Sequence, residues 1–451
     1  MFPLFFYIKF PLQMKSISIF INVSIFVSLF FNCQNIENEN IIARVGNCEL
    51  TTFDYSKTYS DKILNTGIVD SDFERERHLN QLIRLKLFAD ASRRDDIALD
   101  SLSIKLLEID SIKIIKDELF NYVVKVDENI EDNILRNHYG WMNKECQIKH
   151  LFFNDSIKAF NAFGSIKNNE ISFDEVAKNI FKNEFLKENG GDIGWVKYDD
   201  LDPNLERNIF PAVIGEMSRP IRSSYGWHIM IKLNERSQIL IDEFSYNIRK
   251  NDIKQRVVKK LKQIRANNYV NDLMLGSEII INDTLSNLIL NAITKILDFG
   301  GNNKPLMNFN EENKEIISVI GNLNKYKDLE LASYKGSLFL IEDLINGMRL
   351  LNLTHLRQTP SRIFHLTLRN KILFEEGMKK NIHTKYETKM KLKDSKDRIL
   401  SRLYLKKYFK SDKMNVDGSK YLSIADSLTL ISKPIIYQKR FSSIFDYKDH
   451  N

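Results

Sequence analysis

Two histidines in strand-like segments are the residues of this sequence best suited to concerted chemistry. His150 lies within Gln147-Ile148-Lys149-His150-Leu151-Phe152, and His228 opens an apolar run that continues to Leu233. Between them Asn189-Gly190-Gly191 breaks the chain before Asp192, and Tyr225-Gly226 leads into the second histidine segment. Buried neutral imidazoles can hydrogen-bond in tandem, each fixing the other's tautomer and shaping the local field. The same pair could equally be core histidines with a purely structural role. Cysteine chemistry offers little: Cys33, Cys48 and Cys146 are too few for a disulfide framework.

The blocks around these histidines carry a family resemblance. Gly190-Gly191-Asp192-Ile193-Gly194-Trp195 is similar to the Gly-Gly-Asp-Leu-Gly turn and strand of parvulin-type peptidyl-prolyl isomerases. His150, in a strand followed by apolar residues, resembles the family's first histidine. Phe210, then Gly215-Glu216-Met217-Ser218 and Pro220, resemble the end of its last helix and the turn after it. Tyr225-Gly226-Trp227-His228-Ile229 resembles its closing Gly-x-His strand. A lone Gly-Gly-Asp would be weak, whereas four ordered blocks between Lys144 and Arg236 are specific.

The resemblance implies an α+β parvulin domain over 144–236, a small antiparallel sheet covered by helices, inserted between mostly α-helical chaperone-like modules. It implies cis–trans isomerisation of X-Pro bonds, whose barrier of about 18–20 kcal/mol comes from amide resonance. Such catalysis needs an apolar slot and an environment that favours the twisted amide over the planar one, with no metal or cofactor. The implied catalytic set is His150, Glu184 and His228, with the two histidines facing each other across the sheet floor. The implied substrate-binding set is Leu201, Leu205, Phe210, Ser223 and Tyr225.

Some positions depart from the family pattern. Counting back from Asp192, the position usually held by Cys or Asp is Glu184, which keeps an anionic group one methylene longer. Leu201 and Leu205 replace the Met and Phe of the proline pocket, so the flat aromatic wall is lost. Those leucines could instead fill the domain core. No basic cluster precedes the site, which argues against phosphorylated substrates.

Several elements must position these residues. The pattern predicts a strand over Ile193–Val196, a helix over Pro203–Phe210, and closing strands at Ser218–Ile221 and His228–Leu233. Upstream, Ile41–Gly46 reads as a strand into a turn, Asp54 starts a helix, and helical patterns cover Phe73–Ala98, Leu99–Val124 and Ile130–Tyr139. Downstream, a basic amphipathic helix runs from Glu243 to about Met274. An N-terminal helical module over 41–140, a return helix over 240–280 and a second helical module over 300–451 are therefore expected. The last rests on an internal echo: Leu85-Lys86-Leu87-Phe88 against Lys371-Ile372-Leu373-Phe374, and Gly46 with Asp54 against Gly336 with Asp343. Together, 41–274 resembles SurA-type periplasmic chaperones, whose helical module cradles unfolded outer-membrane proteins.

At 451 residues the chain is long enough for two or three domains. Its net charge of +7 is spread along the sequence and interleaved with acids, unlike a nucleic-acid footprint. Met14-Lys15, the apolar run Ile17–Phe31 and Asn32-Cys33-Gln34 read as an export signal over 1–33. Cys33 sits where a bacterial lipoprotein carries its lipid, although Phe30, Phe31 and Asn32 depart from the usual lipobox; an incidental cysteine is the other reading. The function expected is isomerase and folding chaperone, acting on unfolded or nascent envelope proteins in the periplasm. A lipid anchor at Cys33 would hold it to the inner or outer membrane of a bacterium. The alternative is a holdase whose parvulin domain is weakly active or inactive.

Overall fold

The structure is a computed structural model that describes residues 40–237, 242–299, 314–349, 351, 360–409 and 418–445. The expected export signal over 1–33, with Cys33, lies outside the described residues. No helix among the described residues is long and apolar enough to cross a membrane.

The chain divides into two compact units, one formed by its two ends (up to Ala98 and from Asp397) and one by Leu99–Lys396. The expected boundaries shift accordingly. The helices beyond Leu99 leave the expected 41–140 module, and the tail beyond Asp397 leaves the expected 300–451 module.

In the first unit, strands Ile41–Val45 and Cys48–Thr51 form a hairpin, and Ile435–Ile436 joins it on the other side of Ile41–Val45. Thr51 and Asp54 make a reciprocal cap that starts helix Thr52–Thr66, and Ser71 caps helix Asp72–Arg94. The apolar faces of these elements meet Tyr404, Leu405, Ala425, Leu428 and Phe441 in one core. One ion pair is sunk into this unit: Lys86 Nζ lies 2.8 Å from Asp397, and both side chains are buried. Arg93 holds the other oxygen of Asp397 and donates to Cys48 Sγ at 2.8 Å. Burial pushes the Cys48 thiol up to about 12.

In the second unit, helices Ser101–Val123 and Asp132–Met142 precede the central domain. Its sheet has the order Asp192–Lys197, Lys144–Phe153, Trp227–Ser237, Ile221–Arg222, antiparallel throughout. Helices Ser156–Lys167 and Phe173–Ile180 cover one face through Ala159, Phe173, Val176 and Ala177, which pack with Leu151, Phe153 and Ile229. Helix Pro203–Ile209 covers the other face, where Leu205, Ile209 and Phe210 meet Cys146, Ile148 and Met230. The expected strand at Ser218–Ile221 is shorter than its apolar pattern suggests. Pro220 has no N–H to give a ladder, so pairing is confined to Ile221–Arg222 and one bridge at Met217.

The return helix runs Glu243–Leu275. Beyond it the tail is not simply helical. Strands Ile280–Ile281, Glu330–Tyr334 and Ser337–Leu340 form a sheet packed with helices Asp283–Phe299, Lys314–Asn324, Ile341–Met348 and Pro360–Lys379. The echo read from the sequence has a structural counterpart. Each copy is a hairpin closed by a positive-φ Gly (Gly46 or Gly336), followed by a helix begun by an aspartate that accepts a backbone N–H: Asp54 from Thr51, Asp343 from Leu340. Each hairpin also gains a third antiparallel strand beside its first.

Removing one partner of a buried ion pair leaves an uncompensated charge. Asp397→Asn is therefore expected to cost the first unit about 3–5 kcal/mol, read as faster amide hydrogen exchange across residues 41–51. Unchanged exchange there would contradict a stabilising role for the pair.

Candidate functional site

The two central strands pair along their whole length, with His150 opposite Met230 and His228 opposite Phe152. Directly opposite residues share a face, and so do residues two apart on one strand. His150 and His228 are therefore diagonal neighbours on the face that carries helix Pro203–Ile209. Their rings stack with centroids 4.9 Å apart, and His150 Nε2 lies 2.6 Å from His228 Nδ1. A ladder irregularity between Gln147 and Ile148 sets the phase of this half of the strand.

Two glycines let the backbone close around the pair. Gly191 has φ +80°, and its carbonyl accepts the His150 N–H at 2.9 Å. A Cβ on Gly191 would stand 2.6 Å from the His150 carbonyl oxygen. Gly226, two residues before His228, has φ +151°, and a Cβ there would meet the Phe153 carbonyl at 2.7 Å.

The chain of hydrogen bonds extends past the imidazoles. Ser223 Oγ lies 2.6 Å from His228 Nε2 and accepts the Tyr225 N–H at 3.0 Å. These short contacts form one chain along which the protons can run in either direction. In one, the Ser223 hydroxyl donates to His228 Nε2 and His228 Nδ1–H to His150 Nε2; in the other, His150 Nε2–H donates to His228 Nδ1, His228 Nε2–H to Ser223 Oγ, and the hydroxyl turns to the Gly226 carbonyl at 3.5 Å. Burial pushes both histidines down to about 4; His228 adds to the effect at His150, and Asp202 opposes it at His228. Both rings are thus neutral at pH 7.

Ser223, which the sequence places among substrate-binding residues, is buried and belongs to this chain. Tyr225 is exposed beside it, and Leu201 is half-buried. Leu205 and Phe210 are buried core residues on the helix face. Glu184 stands outside this hydrogen-bond chain. It sits in the first turn of the short helix Glu184–Glu188, and its exposed carboxylate pairs with Lys187 at 2.9 Å. The carboxylate whose charge reaches His228 is Asp202, which sequence reading passed over. Its signal was the Asp-Pro pair, an N-cap followed by a first-turn proline. Asp202 caps helix Pro203–Ile209 through the Asn204 N–H and accepts from Ser224 N and Oγ at 3.2 and 2.9 Å. Phe152 and Phe181 flank the rings, with centroids 5.3 Å from His228 and 6.4 Å from His150. Among the described residues no group of three or more His, Cys, Asp or Glu side chains is placed to hold a metal ion.

Comparison with known proteins agrees with the sequence resemblance. Residues 157–235 match the family described as Rotamase, PPIC-type PPIASE domain, a stretch that includes His228 and begins just after His150. The chaperone SurA of Buchnera aphidicola subsp. Acyrthosiphon pisum (strain APS) is 28% identical over 158 residues, 34% of this chain and 35% of that protein. The foldase protein PrsA of Caldanaerobacter subterraneus subsp. tengcongensis is 25% identical over 225 residues, 45% of this chain and 72% of that protein. Among solved structures, the peptidylprolyl isomerase PrsA from Bacillus anthracis is 20% identical, covering 48% of this chain and 85% of that one at a TM-score of 0.23. The chain spans between 20% and 35% of the length of the SurA proteins of Buchnera and Nitrosococcus oceani. Residues 157–235 are thus similar to a parvulin-type domain, and helix-rich segments flank them.

Two outcomes follow from the geometry. An unfolded chain holds its histidines near 6.5, whereas the fold holds this pair near about 4. Between those values the unfolded state binds more protons, so the pair's contribution is complete above about 6.5 and is lost as pH falls toward 4. Long-range 1H–15N spectra should show both rings neutral at about pH 5.5; protonation near 6.5 would contradict a buried pair. Gly191→Ala forces a left-handed φ on a side chain that also meets the His150 carbonyl. It should cost more than about 1 kcal/mol, read as a lower urea midpoint of tryptophan fluorescence.

Proposed function

We propose that this chain is a parvulin-type peptidyl-prolyl isomerase and folding chaperone that acts on unfolded or nascent exported proteins. The observation that carries the reading is the serine–histidine–histidine hydrogen-bond chain, its His228 inside the segment that matches the PPIC-type domain. Isomerisation requires no bond to break. The planar amide loses its resonance on twisting, its nitrogen becomes pyramidal and a better acceptor, and its carbonyl recovers ketone-like polarity. A site accelerates the twist only by interactions stronger in that state than in the planar one. Two neutral rings of coupled tautomer, flanked by Phe152 and Phe181, offer oriented dipoles in a poorly hydrated setting, where such interactions gain strength. Leu201 and Tyr225 are the substrate-facing residues in this reading.

The second reading, a holdase with a weakly active or inactive domain, is favoured by a specific observation. Leu205 and Phe210 are buried in the core and Glu184 faces solvent, so the proline slot is reduced. The helix-rich modules and the SurA and PrsA relatives support a chaperone role in either case. Export to the periplasm, with Cys33 as a lipid anchor to the inner or outer membrane of a bacterium, rests on the sequence of the first residues.

A protease-coupled assay on a short proline peptide separates the two. Wild type should raise the cis-to-trans rate, and His228→Ala should lower kcat/KM on the order of tenfold, equivalent to ~1.4 kcal/mol. No rate above background in wild type would end the isomerase reading. Suppressed aggregation of an unfolded β-barrel protein by a variant lacking residues 144–236 would favour the holdase. Cys33→Ser should abolish incorporation of labelled fatty acid and detergent partition; wild type without label would refute the anchor.

A further inference from the structure

The loop that joins strand Asp192–Lys197 to helix Pro203–Ile209 is tied to the histidine site through Asp202, and its conformation is not self-sustaining. Asp199 has φ +78°, a left-handed conformation that is uncommon for a non-glycine residue and needs surrounding structure to hold it. Three groups do so. Glu206, almost wholly buried, accepts the Asp199 N–H at 2.6 Å and the Leu201 N–H at 3.4 Å on one carboxylate oxygen. Its other oxygen meets Lys260 Nζ from the return helix. The same ammonium reaches the Asp199 carboxylate at 2.6 Å, and Arg256, one turn earlier on that helix, reaches it at 3.3 Å.

We infer that Lys260, on the return helix and outside the parvulin segment, is a positioning residue for the histidine site, acting through Glu206 and the loop Asp199–Asp202. The path is contiguous. Lys260 fixes Glu206; Glu206 fixes the backbone of Asp199 and Leu201; the next residue, Asp202, accepts from Ser224 N and Oγ. Ser224 follows Ser223, whose hydroxyl holds His228. Asn267, two turns beyond Lys260, touches the same Asp202 oxygen at 3.4 Å. Packing alone does not hold this junction, because a cavity of about 130 Å3 lies against it, lined by Trp141, Tyr198, Glu206 and Lys260 among others. Burial raises the Glu206 carboxyl above its ordinary range and Lys260 opposes that rise, so the carboxylate depends on its partner. The consequence is that the site is complete only when the return helix is docked on the parvulin domain.

The kinetic half of the test rests on the isomerase reading, and the spectroscopic half does not. In the full chain, Lys260→Met keeps the aliphatic stem and removes the charge. It should shift the ring 15N signals of His150 and His228 and the Ser224 amide, and lower kcat/KM on a proline peptide about tenfold. Lys260→Arg should restore most of both. Unmoved ring signals in folded Lys260→Met overturn the inference, even if the variant melts earlier. Moved signals with a wild type that turns nothing over retain the positioning and end the isomerase reading. If Lys260→Met does not fold, Lys260→Met/Glu206→Leu removes both buried charges together with the loop's acceptor. The same signal shifts are expected there, and their absence overturns the inference.

Discussion

The register between the two central strands is the constraint on which the site depends. A slip by one residue would turn every side chain of one strand to the opposite face, placing one histidine among the site groups and the other under helices Ser156–Lys167 and Phe173–Ile180. With His150 opposite Met230 the rings lie diagonally on one face, within hydrogen-bonding reach. That register is held from both sides by packing: Leu151, Phe153 and Ile229 are committed to one core, Ile148 and Met230 to the other. The glycines at 191 and 226 follow from the same demand, since each admits the backbone of the Lys144–Phe153 strand where a side chain would collide.

The parts of this arrangement legible in the sequence are those with local signatures. The strands around His150 and His228, the Gly-Gly turn, the Pro-started helix and the capped helices all announce themselves in a few adjacent residues. Glu184 was assigned by counting along the chain, but a carboxylate's role depends on where its short helix points it, and here Lys187 lies within reach on the same face. Leu201 and Leu205 carried an ambiguity that no spacing resolves, because a residue that lines a pocket and one that fills a core look alike as apolar positions. Asp202 was readable as a cap, yet its second task, accepting from Ser224, joins residues 22 apart in sequence and has no local mark.

The division of the chain was harder to read for the same reason. Ile435–Ile436 is a two-residue strand whose place is set by pairing with Ala43 and Arg44, near the other end of the described chain. Nothing in so short an apolar pair names its partner. Likewise the break between Ala98 and Leu99 falls between two helical patterns of similar composition, and only the side that each apolar face buries against tells them apart. The internal echo has its counterpart in hairpin and cap residues, which are again local.

For the proposed isomerisation, a neutral site has its own logic. Neither the planar nor the twisted amide carries net charge, so an imidazolium would bring a solvation cost without a matching charge in the transition state. Burial removes that charge, pushing both histidines down to about 4. A neutral imidazole, however, has one donor and one acceptor, and two of them in contact could point either way. One bond at the end of the chain has a fixed direction. The Tyr225 N–H can only donate, so it takes one lone pair of the Ser223 oxygen, whose hydroxyl reaches both His228 Nε2 and, at 3.5 Å, the Gly226 carbonyl. The dipole that the pair presents is therefore coupled to the turn before Gly226, and any change that moves this turn alters the site's field without touching either ring.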